Sequence, residues 1–259
     1  MTQTTPQSAP PDTDAPPRVS VIVPTYNERD NLPELARRVF EVLDPDQAEL
    51  LIVDDDSPDG TAQVAAELAA RHPVRCLVRR GERGLATAVI SGLRQARGEV
   101  CVVMDADLSH PPEAIPQLLA AMEDTSVQAA VGSRFVPGGK VDLHWPLHRR
   151  LNSLLGRLAA RPLTSVRDMM AGFFCVRRSE IDFDRLAPIG YKILLELIVR
   201  HGWRRIVEVP ITFRDRAAGE TKLNLAEQLR YLRHLGRLYW WVLAGRRRAA
   251  AQPRTERQA

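Results

Sequence analysis

The sequence is poor in cysteine and in long apolar stretches. Its 259 residues include three cysteines, and no two of them form a C-x-x-C pair. A disulfide framework or a zinc cluster is therefore not expected, and Cys76, Cys101 and Cys175 are interpreted as reduced, buried thiols of a cytosolic protein. No apolar run reaches the roughly 18–20 residues that a membrane-spanning helix requires. We therefore expect no integral membrane segment, which leaves attachment to a membrane surface open.

Lysine is also scarce, and two common phosphate-binding patterns are missing. The 36 basic residues include only three lysines, so arginine carries the positive charge of a chain whose formal net charge is +4. Guanidinium groups suit phosphates and lipid headgroups, but a GC-rich genome would raise the arginine content as well. Neither G-x-G-x-x-G after a strand nor G-x-x-x-x-G-K-[ST] occurs. This argues against dinucleotide-binding enzymes and P-loop enzymes.

Short β-rich runs alternate with helical segments along most of the chain. The predicted strands cover 19–23, 49–53, 74–78, 100–104, 173–176 and 206–213. The predicted helices cover 31–43, 61–71, 84–97, 147–160, 190–201 and 223–244. This alternation predicts an α/β fold with a Rossmann-like, mostly parallel sheet flanked by helices. Residues 1–18 lack an apolar stretch and are expected to form a disordered tail.

Polar segments follow three of the predicted strands directly. They are Pro24–Glu28, Asp54–Asp56 and Asp105–Asp107. Ligands bind beyond the carboxyl ends of the strands in such sheets, so the three segments are expected to share one cleft. The two carboxylates of the D-x-D sequence at 105–107 lie on one side of an extended chain. They suit Mg²⁺ or Mn²⁺ bound together with substrate phosphates, although two acids near a turn are more often a solvated loop.

Several ordered motifs together resemble those of one enzyme family. They are Val23-Pro-Thr-Tyr-Asn-Glu28, Val53-Asp-Asp-Asp-Ser-Pro-Asp-Gly-Thr61, Val103-Met-Asp-Ala-Asp-Leu-Ser-His-Pro-Pro-Glu113, Gly132-Ser-Arg-Phe-Val-Pro-Gly-Gly139, Gly190-Tyr-Lys-Ile-Leu-Leu-Glu196 and Phe213-Arg-Asp-Arg-Ala-Ala-Gly-Glu-Thr-Lys222. With them, residues 19–225 resemble the dolichol-phosphate mannose synthases, within the inverting family-2 glycosyltransferases. The resemblance implies a single GT-A-like catalytic domain over 19–222, an amphipathic helical extension over 223–248 and a disordered tail over 249–259.

The resemblance assigns a donor site. Its residues would be Pro24, Tyr26, Glu28, Val53 and Asp55 around the nucleoside, followed by Asp105, Ala106 and Asp107. Asp107 is the principal metal candidate. Ser109 stands where the family often has a glutamine that helps to hold the ion; it is assigned to the metal site with Asp107, although its shorter hydroxyl leaves a role through water or none. Asp56 replaces a frequent glycine, and the proline that commonly follows Asp168 is missing; neither departure is expected to change the chemistry.

Cationic side chains within the matching motifs would hold the phosphates. Arg134, Arg216 and Lys222 are assigned to the donor and acceptor phosphates and complete, with Asp107, the predicted catalytic set. Elsewhere in so arginine-rich a chain, an arginine would be ordinary surface charge. The segment 214–222 is expected to act as a mobile lid, with Gly219 as its hinge.

Two further residues are candidates for the lipid phosphate. Arg149 and Ser153 lie four residues apart on one face of a predicted helix, so both could reach the same group. Ordinary surface positions would explain them nearly as well.

The resemblance also implies a reaction. A phosphate monoester is already largely anionic near neutral pH, so the acceptor needs no general base. The expected reaction moves a hexose, with mannose from GDP-mannose favoured, to polyprenyl phosphate by a single displacement with inversion. UDP-glucose is the alternative donor. The competing interpretations are a family-2 enzyme acting on a hydroxyl acceptor and a non-catalytic protein that binds membranes or nucleic acid, although nucleic acid is not expected as a partner.

The predicted extension 223–248 combines apolar residues with arginines and aromatic residues. Aromatic rings beside cations suit the headgroup region of an anionic membrane. Packing of a terminal helix on the domain would explain the same pattern equally well. We expect a cytoplasmic protein that is peripheral on the cytoplasmic face of the membrane, where a membrane protein could be an additional partner.

Overall fold

The first half of the chain alternates strands and helices. The computed structural model describes residues 16–142, 147–187, 189–214 and 225–251. The first strands are β1 (Val19–Thr25), β2 (Ala48–Asp54), β3 (Val74–Val78) and β4 (Val100–Val103). The helices between them are α1 (Leu32–Val42), α2 (Thr61–Ala69) and α3 (Leu85–Gln95). The bounds of all seven elements lie within about two residues of the predicted ones, as expected for long periodic segments.

Strands β1 and β2 are buried along nearly their whole length. Their runs of Val, Ile and Leu are typical of parallel strands that are covered on both faces. Successive side chains enter opposite cores, with Val21 and Val23 in one core and Ile22 in the other. A sequence without polar alternation therefore specifies a central strand here rather than a strand at the surface.

The second half of the chain adds five strands. They are β5 (Ala129–Ser133), β6 (Lys140–Asp142), β7 (Phe174–Arg177), β8 (Ile206–Pro210) and β9 (Thr212–Arg214). The central sheet has the order β3-β2-β1-β4-β7-β5-β8, while β6 and β9 form a separate parallel pair. In the central sheet, β7 is antiparallel to both β4 and β5, and the other neighbouring strands are parallel. The predicted mostly parallel sheet is confirmed.

Helices cover both faces of this sheet. The remaining helices are α4 (Ile115–Ala121), α5 (Leu147–Ala160), α6 (Ile193–His201) and α7 (Leu225–Ala251). The core on one face contains side chains of α1, α2 and α4, and the core on the other face contains side chains of α3, α6 and α7. This arrangement confirms the predicted α/β fold.

Two parts of the sheet differ from the sequence prediction. Strand β5 is not predicted, because its Ala-Ala-Val-Gly-Ser sequence has low β-propensity. The single strand predicted over 206–213 is divided at Ile211 between the two sheets. Its N–H donates to the Ser133 carbonyl (3.0 Å), and its own carbonyl accepts from the Lys140 N–H (2.9 Å). Pro210 is the last residue of β8, which is an edge strand of the central sheet, where a proline is tolerated.

The three cysteines are free thiols. Cys101 and Cys175 are buried, as predicted, but the prediction is wrong for Cys76, which is exposed. Cys76 lies on the edge strand β3, where alternate side chains, Cys76 and Val78, face solvent. The apolar neighbours of Cys76 in the sequence do not reveal that its strand has a neighbour on one side only.

The C-terminal helix α7 packs on the domain with one face. Leu235 and Leu238 are buried in the core, and the hydroxyls of Tyr231 and Tyr239 donate to carbonyls of α5 at 2.7 and 2.6 Å. The exposed apolar residues of α7 are Leu229, Leu232, Trp240 and Leu243. Packing therefore explains only one face of the helix. Among the described residues, no helix combines the length and apolar character needed to cross a bilayer.

Several predicted features lie outside the described residues. They are most of the N-terminal tail (1–15), the end of the C-terminal tail (252–259) and residues 215–222 of the predicted lid (214–222), which include Arg216, Gly219 and Lys222. Arg149 lies on α5, but its side chain is not among those described. Helix α7 begins two residues after the predicted helix 223–244 and ends seven residues after it, which is three residues past the predicted extension 223–248.

Candidate active site

The three polar segments predicted to share a cleft lie at one edge of the sheet. Strand β1 pairs in parallel with both β2 and β4, with Thr25 beside Asp54 and Ile22 beside Val103. The carboxyl ends of these strands therefore point in the same direction. The segments that follow them meet at the edge where open α/β sheets bind their ligands.

Asp54, fully buried at the end of β2, joins the first two segments. Its Oδ1 accepts hydrogen bonds from Thr25 Oγ1 (2.9 Å) and Ser57 Oγ (2.6 Å), and its Oδ2 accepts from the Ser57 N–H (2.9 Å). Ser57 Oγ in turn accepts from the Asn27 N–H (2.9 Å). Asp54 therefore shapes the loops and points its charge into the protein.

One residue with a left-handed backbone lies within or directly after each of the three segments. The values of φ are 61° at Asn27, 55° at Asp56 and 58° at Leu108, and no other non-glycine residue has a positive φ within the described ranges. Such conformations are uncommon outside glycine and concentrate at ligand-binding sites. The left-handed backbone at Asp56 also explains why a glycine suits this position in the pattern that the sequence resembles.

Asp55 fixes the second segment against the start of α3. Its Oδ1 accepts from Arg79 Nε (2.8 Å), and its Oδ2 accepts from the Gly84 N–H (2.8 Å). Both Asp55 and Arg79 are buried. This predicted nucleoside contact is therefore held in a buried ion pair that also positions the loop before α3.

The other residues predicted to surround the nucleoside differ in accessibility. Tyr26 is 42% exposed, and the Arg83 guanidinium carbon lies 4.4 Å from the centroid of its ring. Glu28 is half-buried at the start of the following turn. Pro24 and Val53 are buried within their strands, so they support the shape of the pocket from beneath.

Asp105 lies beside His110, a residue to which the sequence assigned no role. The Asp105 N–H donates to His110 Nδ1 (3.3 Å), so the neutral ring carries its proton on Nε2. Burial lowers the pKa of His110, which keeps the ring neutral near pH 7. A Cβ atom at Gly172 would lie 3.2 Å from Asp105 Oδ2. Glycine at this position therefore allows the chain to pass close to the carboxylate.

Asp107 and Ser109 provide oxygen atoms suited to a metal ion. Both residues are buried, and Asp107 Oδ1 accepts from the Ser109 N–H (3.0 Å). Ser109 Oγ is buried and has no hydrogen-bond partner in the described part of the chain, an arrangement that has a free-energy cost. A cation beside Asp107 would satisfy this oxygen. Within the described ranges, no group of three or more His, Cys, Asp or Glu residues could hold a metal ion.

These donors fit a particular type of ion. A carboxylate and a hydroxyl are hard oxygen ligands, and Ala106 between the two aspartates is buried and contributes none from its side chain. Mg²⁺ and Mn²⁺ accept such partial sets because water and substrate phosphates complete their coordination. The residues present therefore fit the predicted ion.

Arg134 follows β5 and is held by Asp168. Its Nε and Nη2 donate to the two carboxylate oxygens of the fully buried Asp168, at 2.8 Å each. Glu208 supports the pair, because its Oε1 accepts from Ser133 Oγ (2.7 Å) and from the Asp168 N–H (3.0 Å). Bidentate pairing fixes the plane of the guanidinium group. The predicted phosphate-binding cation is thus oriented by the protein itself.

The ring of Phe213 connects the two sides of the site. Its centroid lies 5.3 Å from that of His110 and 5.1 Å from the Arg134 guanidinium carbon. The ring of His110 also stacks on Phe173, with the centroids 5.4 Å apart. The Asp105 segment and the Arg134 segment therefore belong to one continuous site.

Lys192, at the start of α6, is a cation of this site that the sequence analysis did not assign. Its Nζ donates to the Met170 carbonyl (3.4 Å). Burial lowers the pKa of Lys192 to about 7, and the charge of Arg134 adds to this effect against Asp168 and Asp105. The sequence did contain a signal for this role, because Lys192 belongs to the Gly190-Tyr-Lys segment, one of the motifs that resemble the family.

The predicted acceptor residues are described only in part. Ser153 lies on α5 and is partly buried. Arg216 and Lys222 lie outside the described residues, as does the side chain of Arg149. Their assignment to phosphates stays a prediction.

An open α/β sheet whose strand-end loops bring together a D-x-D pair and fixed cations is the arrangement of a nucleotide-sugar glycosyltransferase. Residues 20–183 match the family model described as glycosyl transferase family 2, and the chain belongs to this family.

Relatives with known names agree with this assignment. A dolichol-phosphate mannosyltransferase of Pyrococcus furiosus is 46% identical over 228 residues, which cover 86% of this chain and 64% of that protein. A dolichol-phosphate mannosyltransferase of Saccharomyces cerevisiae is 40% identical, with 85% of this chain and 86% of that protein covered. An undecaprenyl-phosphate mannosyltransferase of Micrococcus luteus is 40% identical, with 80% and 88% covered. The chain thus spans less than two thirds of the archaeal relative.

Solved structures support the fold. A mannosyltransferase of Pyrobaculum calidifontis in complex with GDP-Man and Mn²⁺ has a TM-score of 0.60 and 23% identity, with 93% of this chain and 68% of that chain covered. A glucosyl-3-phosphoglycerate synthase of Mycobacterium tuberculosis in complex with Mn²⁺, UDP-glucose and phosphoglyceric acid has a TM-score of 0.63 and 18% identity, with 85% and 80% covered. These similarities confirm the predicted GT-A-like fold.

Proposed function

We propose that this protein transfers a mannosyl group from GDP-mannose to the phosphate of a polyprenyl phosphate, with inversion at the anomeric carbon. The observation that carries the proposal is the D-x-D pair beside the buried Ser109 hydroxyl, in a chain 40–46% identical to mannosyltransferases named for dolichol or undecaprenyl phosphate. Identity at this level over most of the chain supports the same substrate classes.

The donor would bind across the ends of β1, β2 and β4. Tyr26, Glu28 and Asp55 lie on the loops that would surround the nucleoside, and the fixed Asp55 keeps its loop in place. Asp105 and Ala106 would adjoin the sugar diphosphate. Because these groups are held by the fold, binding requires little reorganisation of the protein.

Asp107 and Ser109 would hold the metal ion. When bound, Mg²⁺ or Mn²⁺ supplies positive charge to the diphosphate that leaves the sugar. The buried Ser109 hydroxyl would then gain the partner that it lacks among the described residues. Asp107 would balance the charge of the ion in this poorly solvated site.

The acceptor phosphate would act as the nucleophile. One of its oxygens forms a bond to the anomeric carbon while the bond from this carbon to GDP breaks, so no proton acceptor is needed. Arg134, fixed by Asp168, would stabilise negative charge without reorienting. An anion near Lys192 would also raise its lowered pKa and keep the amine charged.

The remaining predicted cations would complete the phosphate site. Arg216 and Lys222 are proposed to close over the two anions, and Arg149 with Ser153 to receive the lipid phosphate. A lipid acceptor requires the site to approach a bilayer, and α5 and α7 carry exposed apolar side chains: Leu154, Leu155, Leu158, Leu229, Leu232, Trp240 and Leu243. We propose peripheral attachment through this surface on the cytoplasmic side, with room for a membrane-protein partner.

Product analysis with matched donors tests the proposed reaction. The protein is incubated with GDP-mannose or UDP-glucose, a polyprenyl phosphate and Mg²⁺ or Mn²⁺, and the product is examined by mass spectrometry and anomeric NMR. We expect polyprenyl-phosphate mannose with inverted configuration from GDP-mannose, and one donor should strongly dominate because the base contacts discriminate. A sugar on a hydroxyl group, retained configuration or a preference for UDP-glucose would contradict the proposal.

A further inference from the structure

A surface cavity between α6 and α7 lies apart from the candidate active site. Its volume is about 410 Å³, and it is lined by Arg200, Arg233, Gly236, Arg237, Trp240 and Trp241. Arg200 lies in the last turn of α6, whereas Lys192 precedes its first turn, about 12 Å away at 1.5 Å per residue. The volume falls within the range of roughly 300–1,000 Å³ that is usual for small-ligand sites.

The cavity carries an excess of positive charge. Three of its six lining residues are arginines and none of the six is acidic. Arg200 Nε lies 2.9 Å from Glu196 Oε1, but the other oxygen of this buried carboxylate lies 2.6 Å from His234 Nε2. The carboxylate of Glu196 is therefore shared between two side chains, and its Oε1 also accepts from the Ala187 N–H (2.9 Å). An anion in the cavity would relieve the repulsion among the guanidinium groups.

Gly236 leaves one wall of the cavity open. A Cβ atom at this position would meet no heavy atom within 4 Å, so packing does not require a glycine here. Glycine is also unfavourable in the interior of a helix. Gly236 therefore leaves room for a ligand between Arg233 and Arg237.

The neighbouring surface indicates the source of the anion. Trp240 is 69% exposed, and Leu229, Leu232 and Leu243 are exposed on the same helix. The Arg200 guanidinium carbon lies 4.5 Å from the centroid of the Trp241 ring. Indole rings beside guanidinium groups suit the boundary between headgroups and acyl chains, where phosphates are abundant.

We propose that this cavity binds the phosphate of an anionic phospholipid headgroup, at a second anion site separate from that of the acceptor phosphate. The proposal rests on the membrane attachment proposed above and specifies the lipid that the attached protein prefers. Free phosphate could bind through the same contacts, and the experiment distinguishes it from the lipid headgroup.

Vesicle sedimentation at constant salt tests the site. The full chain is mixed with phosphatidylcholine vesicles that contain or lack phosphatidylglycerol, and the ratio of the two affinities is measured. Arg233→Gln/Arg237→Gln should lower this ratio about 25-fold, or about fivefold for each arginine near an anionic surface. Arg71→Gln/Arg204→Gln removes equal charge from exposed positions outside the cavity and should change the ratio less than about twofold.

A variant that retains every charge separates a defined cavity from diffuse attraction. Gly236→Gln fills the open wall with a good helix former, and we expect it to lower the ratio about fivefold, a loss equal to that of one arginine contact. An unchanged ratio in Gly236→Gln would overturn the proposal, even if the double arginine variant loses affinity.

Two further measurements identify the ligand and test the lipid site independently of the proposed enzymatic function. If inorganic phosphate changes the tryptophan fluorescence of the natural chain but not of Gly236→Gln, and both vesicle types bind equally, the site takes free phosphate and the lipid proposal fails. Mannosyl transfer to a short-chain, soluble polyprenyl phosphate should be equal in all variants. Absence of transfer in the natural chain with an intact vesicle effect would contradict the proposed function and leave the lipid site supported.

Discussion

The strand-end edge of the sheet and the junction of the C-terminal helix both use buried carboxylates, but with different results. At the sheet edge, Asp54 and Asp55 accept hydrogen bonds from nearby hydroxyl and backbone groups and thereby shape loops. At the junction, Glu196 on α6 binds His234 on α7, which lies 38 residues later. A buried carboxylate thus sets the geometry of loops in one region and holds α7 against α6 in the other.

The two regions also differ in where their apolar side chains lie. The strands that lead to the sheet edge direct their large apolar residues into the cores, whereas α5 and α7 keep several of theirs outside. Contiguous exposed apolar residues mark interaction surfaces. Chemistry and attachment should therefore be separable by mutation.

The largest effect is expected at the sheet edge. Asp107→Ala should lower mannosyl transfer about 1,000-fold, because charge stabilisation of several kcal/mol by the ion is lost at about 1.4 kcal/mol per factor of ten. The free energy of unfolding should change by less than about 1 kcal/mol. Steady-state kinetics and urea unfolding provide the two measurements. Near-normal turnover in the folded variant, with the exposed Asp46→Ala as control, would remove Asp107 from the metal site.

At the helix junction the effect should appear in stability. Glu196→Gln should lower the free energy of unfolding by about 3 kcal/mol, because Arg200 and His234 would keep their positions beside a neutral partner. Urea unfolding measures this loss, and the exposed Glu67→Gln on α2 should stay within about 0.5 kcal/mol of the natural chain. Below the unfolding transition, transfer to a soluble acceptor should be retained. A loss of transfer without a loss of stability would place Glu196 in the chemistry.

Lys192 provides a test in which pH is varied. Its pKa is lowered to about 7 in the folded chain, mainly by burial, whereas an unfolded lysine has a pKa near 10.4. Folding therefore releases a proton between these values, and raising the pH through this window should favour the folded state. We expect a gain of about 2 kcal/mol relative to Lys192→Met, which is less than the roughly 1.4 kcal/mol per pH unit of a fully buried group because Lys192 is only partly buried as a residue. Urea unfolding from pH 6.5 to 10 measures it.

The exposed Lys140 supplies the control for this measurement. Lys140→Met should follow the pH dependence of the natural chain. If Lys192→Met does the same, the Lys192 amine is not desolvated in the folded protein.

The smallest change in stability is expected on the exposed helix faces. Leu158→Ser on α5 should alter the free energy of unfolding by less than about 0.5 kcal/mol while weakening vesicle binding. Leu235→Ala, at a buried position of α7, should instead cost about 2–5 kcal/mol. Comparable losses of stability would show that Leu158 belongs to the core rather than to an attachment surface.

The sequence predicts the first half of the fold well because local pattern and final environment agree there. Continuous apolar runs become the central strands β1 and β2, and the D-x-D segment follows β4 at the expected edge. For β5 the local sequence pattern and the final environment disagree. Its small residues are favoured in a strand only by burial between β7 and β8, which depends on segments distant in the chain.

In the candidate site, too, some features follow from local motifs and others depend on residues that are distant in the chain. The strand-end loops and their acids could be predicted from motifs, but the partners of the cations could not. Arg134 and Asp168 are 34 residues apart, and no local pattern pairs them. The neutral state of His110 and the lowered pKa of Lys192 result from burial by several elements, which a linear pattern does not record.

The place of β7 between β4 and β5 has a consequence for how the chain assembles during synthesis. The side of β4 that pairs with Phe174–Arg177 stays open while about 70 further residues are made, or roughly 4–14 s at 5–20 residues per second. An open strand edge can pair with another chain during this interval. Fragments that end before Phe174 should therefore aggregate more readily than the full chain, because one edge of β4 has no partner in them.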